Sequence, residues 1–151
     1  MGGLSDFQAL DETLSVLLQQ LSPQSRQIFT RQVAKELRLR QQKHIQEQKN
    51  PDGSPYIPRK NKRQDKHGRI RRKMFTRLRT ARFMKTESNT DEAAVTFAAG
   101  VTNLSVVHHY GLRDKVSPDG PTVRYARRQL LGFTDADIEW IKDLAWTHIA
   151  K

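Results

Sequence analysis

The stretch "FMKTESNTDEAAVTFAAG" (residues 83–100) decides the fold class. Phe83, Lys85 and Glu87 alternate with Met84, Thr86 and Ser88; the polar run "SNTDE" follows; then Val95 and Phe97 alternate with Thr96 and Ala98. Two runs of period two around a polar turn predict a β-hairpin. Both flanks of this hairpin carry helical patterns, so the expected fold class is α+β.

Upstream, Ser5 caps a first helix with Gln8 at the capping-box position and Leu4 before the cap. Phe7, Leu10, Leu14, Leu17, Leu18 and Leu21 give that helix one apolar face. Ser22 then serves as N-cap of a second helix whose first position is Pro23, where the missing N–H costs nothing. Ile28, Phe29, Val33, Leu37 and Ile45 mark its buried stripe, and Arg26, Arg31, Lys35, Arg38, Arg40 and Lys43 occupy the other faces. It is expected to run to about Gln48, since Asn50-Pro51 cannot continue it. Residues 1–49 are thus expected to form a long helical hairpin with a tight turn, each stripe covering the other.

Residues 50–68 open with "NPDGSPYIPRKNKR". Pro51-Asp52-Gly53 is turn chemistry, and Pro55 and Pro58 hold residues 54–57 extended. A pure linker rarely sets an aromatic between two prolines, so Tyr56 and Ile57 point to an ordered loop that docks. Residues 59–85 then carry thirteen Lys or Arg against one acid, Asp65. Met74, Phe75, Leu78, Ala81 and Phe83 recur at helical spacing, which predicts a basic third helix over residues 69–82.

Downstream of the hairpin, Val106, Val107 and Tyr110 read as buried, in a short helix or a third strand. "KVSPDGP" is a surface turn and "TVRYARRQLLG" is compatible with another strand, giving one small antiparallel sheet over residues 83–130. The last helix is well marked. Thr134 caps it, Asp137 sits at the capping-box position, and Phe133 and Ile138 have staple spacing. Ile138, Ile141, Leu144, Ala145 and Ile149 form the side that packs on the sheet. The expected organisation is one domain over residues 1–151: the hairpin, the loop of 50–68, and an α+β core over 69–151.

The 151 residues are 36% apolar and carry a formal charge of +11. That balance favours anionic partners. The absence of cysteine removes disulfides, thiolate chemistry and cysteine-bound zinc. His108 and His109 are adjacent and cannot both face one metal from a regular element, and no HExxH pattern occurs. Asp135, Asp137, Glu139 and Asp143 read as a solvated helix face near a favourable dipole end. Scattered glycines form no phosphate cradle. The chain is therefore expected to be no enzyme, with no catalytic residue, cofactor, metal or small-molecule substrate. "MGGLSD" has Asp6 where myristoylation requires Ser or Thr. With no signal-like N-terminus and no apolar run near the ~20 residues a bilayer demands, a soluble intracellular protein without membrane partners is expected. The basic block fits phosphate-backbone binding, a nuclear-import-like run at "RKNKRQDK", or an arm docking on an acidic protein surface or beside packaged nucleic acid.

Taken in order, "PDGSPYIPRK", "RRKMFTRLRTARFMK", "VVHHYGLRD" and "VRYARRQLLGFTDADIEWI" resemble the tail completion, or virion morphogenesis, proteins of contractile-tailed temperate bacteriophages. The likeness covers roughly residues 34–141 and is most specific over 127–137. One departure is Tyr125 before Ala126-Arg127, where many such proteins have proline. The resemblance implies a structural virion protein that completes the tail and helps form the tail-to-head joint, or neck. It implies as partners other tail and neck proteins, copies of the chain in a six- or twelve-fold ring, and the DNA of the channel. Assembly contacts are expected at Tyr56, Ile57, Arg59, Lys60, His109, Tyr110, Arg127 and Arg128. A basic patch of Lys62, Arg63, Lys66, Arg69, Arg71, Arg72 and Lys73 is expected to face DNA or an acidic partner. The alternative function is non-sequence-specific nucleic-acid binding.

Overall fold

A computed structural model describes residues 12, 15–16, 18–59, 73–115 and 118–150. It is α+β. Helix α1 spans Pro23–Gln46, hairpin strands β1 and β2 span Met84–Ser88 and Ala93–Phe97, and a 3-10 turn covers Ala99–Val101. Helix α2 (Thr102–Tyr110), strands β3 (Arg113–Lys115) and β4 (Thr122–Arg124), and helix α3 (Asp135–Ile149) complete the order. The chain divides into two compact units: Met1–Arg40 with Lys85–Thr96 and Phe133–Lys151, and Gln41–Met84 with Phe97–Gly132.

Helix α1 begins as its sequence dictates: Ser22 Oγ accepts the Ser25 N–H at 3.2 Å and Pro23 takes the first position. It ends two residues before the expected Gln48. Gln48 adopts a left-handed φ of 57°, its N–H donates to Ile45 O, and the Lys49 N–H donates to His44 O. These are the two bonds of a Schellman stop, built on glutamine instead of the usual glycine. Most of the expected first helix, with its Ser5 cap, lies outside the described residues, so of the expected helical hairpin the second helix is the part described.

In the first unit, Phe29, Val33 and Leu37 of α1 form the core with Ile141 and Ala145 of α3, against which Ala93 and Val95 of β2 and Leu18 pack. Residues of the last helix and of the hairpin strand thus meet the same core. Ile28, assigned to the α1 stripe from sequence, is 52% exposed. One residue is a 100° step around the helix, and Phe29 takes the inward place. Thr30 Oγ1 donates to Asn89 O at the hairpin turn at 2.5 Å. Arg40 pairs with Asp137 at 2.9 Å while lying over the Trp140 ring. The α3 capping box is complete: Thr134 Oγ1 accepts the Asp137 N–H, and Asp137 Oδ2 accepts the Thr134 N–H.

The second unit departs more from the sequence reading. Residues 74–83 form a succession of turns, not the basic helix expected over 69–82, whose first four residues lie outside the described set. Phe75 takes a left-handed φ of 65°, a conformation that ends helix propagation. The expected single sheet is two separate two-stranded sheets, β1-β2 and β3-β4. β3 and β4 are antiparallel, with Arg113 opposite Arg124 and Lys115 opposite Thr122. The 106–110 segment is helical; of its three apolar residues only Val107 is buried, while Val106 and Tyr110 are exposed. Gly111 stops α2 at φ 67°, and a Cβ there would lie 2.9 Å from the Arg127 nitrogen, so both backbone conformation and space require glycine.

Candidate functional site

The loop after α1 is built by its own turn residues. The Gly53 N–H donates to Asn50 O around Pro51-Asp52, and the Asn50 N–H donates to Ser54 O. Asp52 accepts both the Ser54 hydroxyl and its N–H, and these bonds hold its carboxyl below the usual carboxylate range. Lys49 and Pro55 then face each other in an antiparallel bridge.

This folded loop delivers Tyr56 inward. The ring is 4% exposed, its hydroxyl donates to Gln129 O at 2.8 Å, and its N–H donates to Gln48 O at 2.7 Å. Burial raises the phenol far above its ordinary range. From Tyr56 a chain of edge-on rings runs through Phe75, His108 and Tyr125, with centroids 5.8, 5.0 and 4.7 Å apart. His108 Nδ1 is buried without a hydrogen-bond partner among the described residues. Burial, then the neighbouring Arg128 and Arg59 charges, hold that ring toward its neutral form.

Arg128 is the second anchor. Only 6% exposed, it donates from Nε to Ile57 O at 2.7 Å and from Nη2 to Pro58 O at 3.3 Å. The guanidinium thereby fixes the backbone of the loop beyond Tyr56.

The segment carrying Arg128 belongs to no sheet. Its peptide groups are taken up by other partners. The Arg128 N–H donates to His108 O, the Gln129 N–H to Asn50 Oδ1 at 2.8 Å, and the Leu130 and Leu131 N–H groups to His109 Nδ1. Gln41 closes the run by accepting the Gly132 N–H and donating to Gly132 O, both at 3.0 Å. Gln48 treats Met74 in the same way, accepting its N–H and donating to its carbonyl at 2.8 Å. Because His109 Nδ1 accepts, that ring is neutral and protonated on Nε2. Burial, then Arg127 and His44, push it in the same direction.

The residues singled out from sequence therefore divide. Tyr56, His109 and Arg128 come together as internal anchors. Ile57, paired with Tyr56 as an anchor in the sequence reading, is instead 56% exposed. Alternation along an extended segment sends neighbours to opposite sides, so burying Tyr56 turns Ile57 out. Arg59, Tyr110 and Arg127 are also exposed; Arg127 Nη2 reaches Gln129 Oε1 at 3.4 Å, and Tyr110 stacks edge-on against His109. Lys73 is exposed and donates to Gln46 O. Lys60, Lys62, Arg63, Lys66, Arg69, Arg71 and Arg72 lie outside the described residues. Gln41, Gln48, Asn50 and Phe75 escaped the sequence reading. One signal was available: Gln41 interrupts the four-residue series Phe29, Val33, Leu37, Ile45 at its buried position.

The surface so presented is an anchored loop with an exposed apolar and basic rim. Among the described residues there is no group of three or more His, Asp or Glu able to hold a metal, and no helix long and apolar enough to cross a membrane. Residues 5–150 match the phage virion morphogenesis family. The chain belongs to that family. Tail completion protein S of Escherichia phage P2 is 35% identical over 150 residues, which cover 98% of this chain and 100% of that protein. No solved structure matches. Membership of the virion morphogenesis family agrees with the order of segments from "PDGSPYIPRK" to "RRQLLGFTDAD".

Proposed function

We propose that this chain is a structural virion protein that completes the phage tail and helps form the tail-to-head joint. The near-full-length similarity to a tail completion protein carries this reading. The anchored loop supports it, since Tyr56 and Arg128 fix a segment whose Ile57 side chain has no internal role. In this reading the whole chain acts as one tail-completion domain without catalytic function. Ile57, Arg59, Lys60, Tyr110 and Arg127 contact neighbouring tail or neck proteins and further copies in a ring. Tyr56, His109 and Arg128 hold those contacts in place.

The test is a lysate of a phage lacking the gene, viewed by negative-stain electron microscopy. The expected outcome is filled heads and tails that accumulate unjoined, restored by the intact gene in trans. Complete, infectious virions without the gene refute the reading.

A second reading, non-sequence-specific nucleic-acid binding, draws on one specific observation. The unit formed by Gln41–Met84 and Phe97–Gly132 carries 19 Lys and Arg against 5 Asp and Glu, a formal +14. It predicts duplex-DNA affinity that falls steeply with salt and particles of normal form when the gene is lost.

A further inference from the structure

The charge of this chain is divided between its two units. Against the +14 of one, the unit of Met1–Arg40, Lys85–Thr96 and Phe133–Lys151 has 8 Lys and Arg and 11 Asp and Glu, a formal −3. Three of those eleven acids lie on one face of α3. Asp137, Ile138, Ile141 and Ala145 face inward and are buried. Opposite them, Asp135, Glu139 and Asp143 recur every four residues, all exposed, and Trp146 continues the same stripe one turn later. The Glu139 side chain is 70% exposed, with Lys142 at 3.6 Å. Trp146 is 66% exposed, the most exposed of the large apolar side chains described. Nothing in the core of this unit needs a tryptophan there.

Carboxylates beside an open indole form a receptor for Lys and Arg. The ring face attracts a guanidinium while the carboxylates pair with it. The same surface repels a polyanion. The matching chemistry is present in this chain: residues 59–73 hold nine Lys and Arg against one Asp, and no Phe, Tyr or Trp as a platform for nucleic-acid bases.

We infer that the outward face of α3, through Glu139, Asp143 and Trp146, docks the Lys/Arg-rich segment 59–73 of a second copy of this chain. The contact joins two different surfaces, so it is heterologous, the kind of interface that propagates around a closed ring. It deepens the ring proposed above and rests on that reading.

The experiment uses the full-length protein, with light scattering and sedimentation velocity over a concentration series at low and high salt. Wild-type protein is expected to self-associate at low salt and to dissociate as salt rises. Glu139→Lys with Asp143→Lys, and separately Arg71→Glu with Arg72→Glu, are each expected to weaken association about tenfold or more. An equimolar mixture of the two variants is expected to recover it, because each supplies the surface the other lacks. Glu139→Gln with Asp143→Asn, a milder pair at exposed sites, is expected to weaken association while leaving the melting temperature unchanged.

Unchanged association in the α3 variants, failure of the mixture to recover, or a wild-type monomer at every salt and concentration overturns the inference. Binding of a short duplex DNA, lost only in the Arg71/Arg72 variant while α3 reversal leaves association intact, also overturns it and assigns the basic segment to a polyanion. A wild-type monomer combined with unjoined heads and tails in the gene-deleted phage would sink this inference alone and leave the proposed function standing.

Discussion

Replacing Tyr56 separates the two ways in which its side chain holds the loop. Tyr56→Phe keeps the buried ring and removes one hydroxyl, leaving Gln129 O without its 2.8 Å donor. A neutral hydrogen bond of that kind is worth about 0.5–1.5 kcal/mol. Tyr56→Ala also empties a site that is 4% exposed and edge-on to Phe75, which for a buried aromatic costs about 3–5 kcal/mol. At roughly 2–4 °C per kcal/mol for a chain of this size, the phenylalanine variant should melt a few degrees lower and the alanine variant roughly 10 °C lower or more. Circular dichroism in heat and urea measures both. Amide exchange adds the location, since the Tyr56 and Gln129 N–H groups should lose protection in the alanine variant first. The phenol adds a signature at alkaline pH. Its folded value is raised, so the unfolded chain ionises first and stability falls as pH climbs above about 10. Tyr56→Phe should lack that part of the fall. An alanine variant no less stable than the phenylalanine variant would refute the idea that this ring is the loop's anchor.

Other outcomes follow from the same geometry. Thr134→Ala removes one half of the α3 capping box and should destabilise by about 1 kcal/mol in chemical denaturation. Gly132→Ala places a Cβ 2.5 Å from Gln129 Nε2 and 2.7 Å from Pro51 Cγ. The resulting strain should cost about 1–3 kcal/mol and expose the loop to limited proteolysis. His108 and His109 have folded values below the ordinary one. Their stabilisation is complete above about pH 6.5 and is lost as pH falls from there toward the folded values. His109→Asn, which keeps an acceptor near Nδ1 but cannot titrate, should flatten part of that acid slope, read as urea midpoints from pH 7.5 to 5.

What could be read from the sequence was whatever a short window contains. The hairpin of residues 83–100 needs only alternation and a polar turn, and the Thr134 cap and Pro23 start are chemistry within four residues. Positions along α1 failed only at Ile28, where two adjacent apolar residues competed for one inward place. The losses share another cause. Phe75 belongs to a helical pattern by spacing, yet Gln48, 26 residues earlier, captures the Met74 peptide group and the chain turns left-handed beside it. The "ARRQLLG" run looks like a strand because its residues suit one, but its hydrogen bonds go to Asn50, Gln41 and His109, up to 91 residues distant. No local pattern encodes a partner that far away. For the surface, sequence singled out Tyr56 and Arg128 as assembly contacts, and the fold buries both side chains. Which of Tyr56 and Ile57 turns inward depended on the 129 carbonyl, which only the fold supplies.

The manner in which residues 128–132 are held has its own consequence. Every N–H from Arg128 to Gly132 already has an acceptor, four of the five in the side chains of Asn50, His109 and Gln41. A ladder can slip by two residues and re-form all its bonds; a run gripped at fixed points by dissimilar side chains cannot, so those side chains act as a ruler for the segment. The same saturation leaves this run without the row of free donors that lets a bare strand recruit another chain. Crowded copies can therefore lie side by side without zipping together along it, and their contacts are left to side chains.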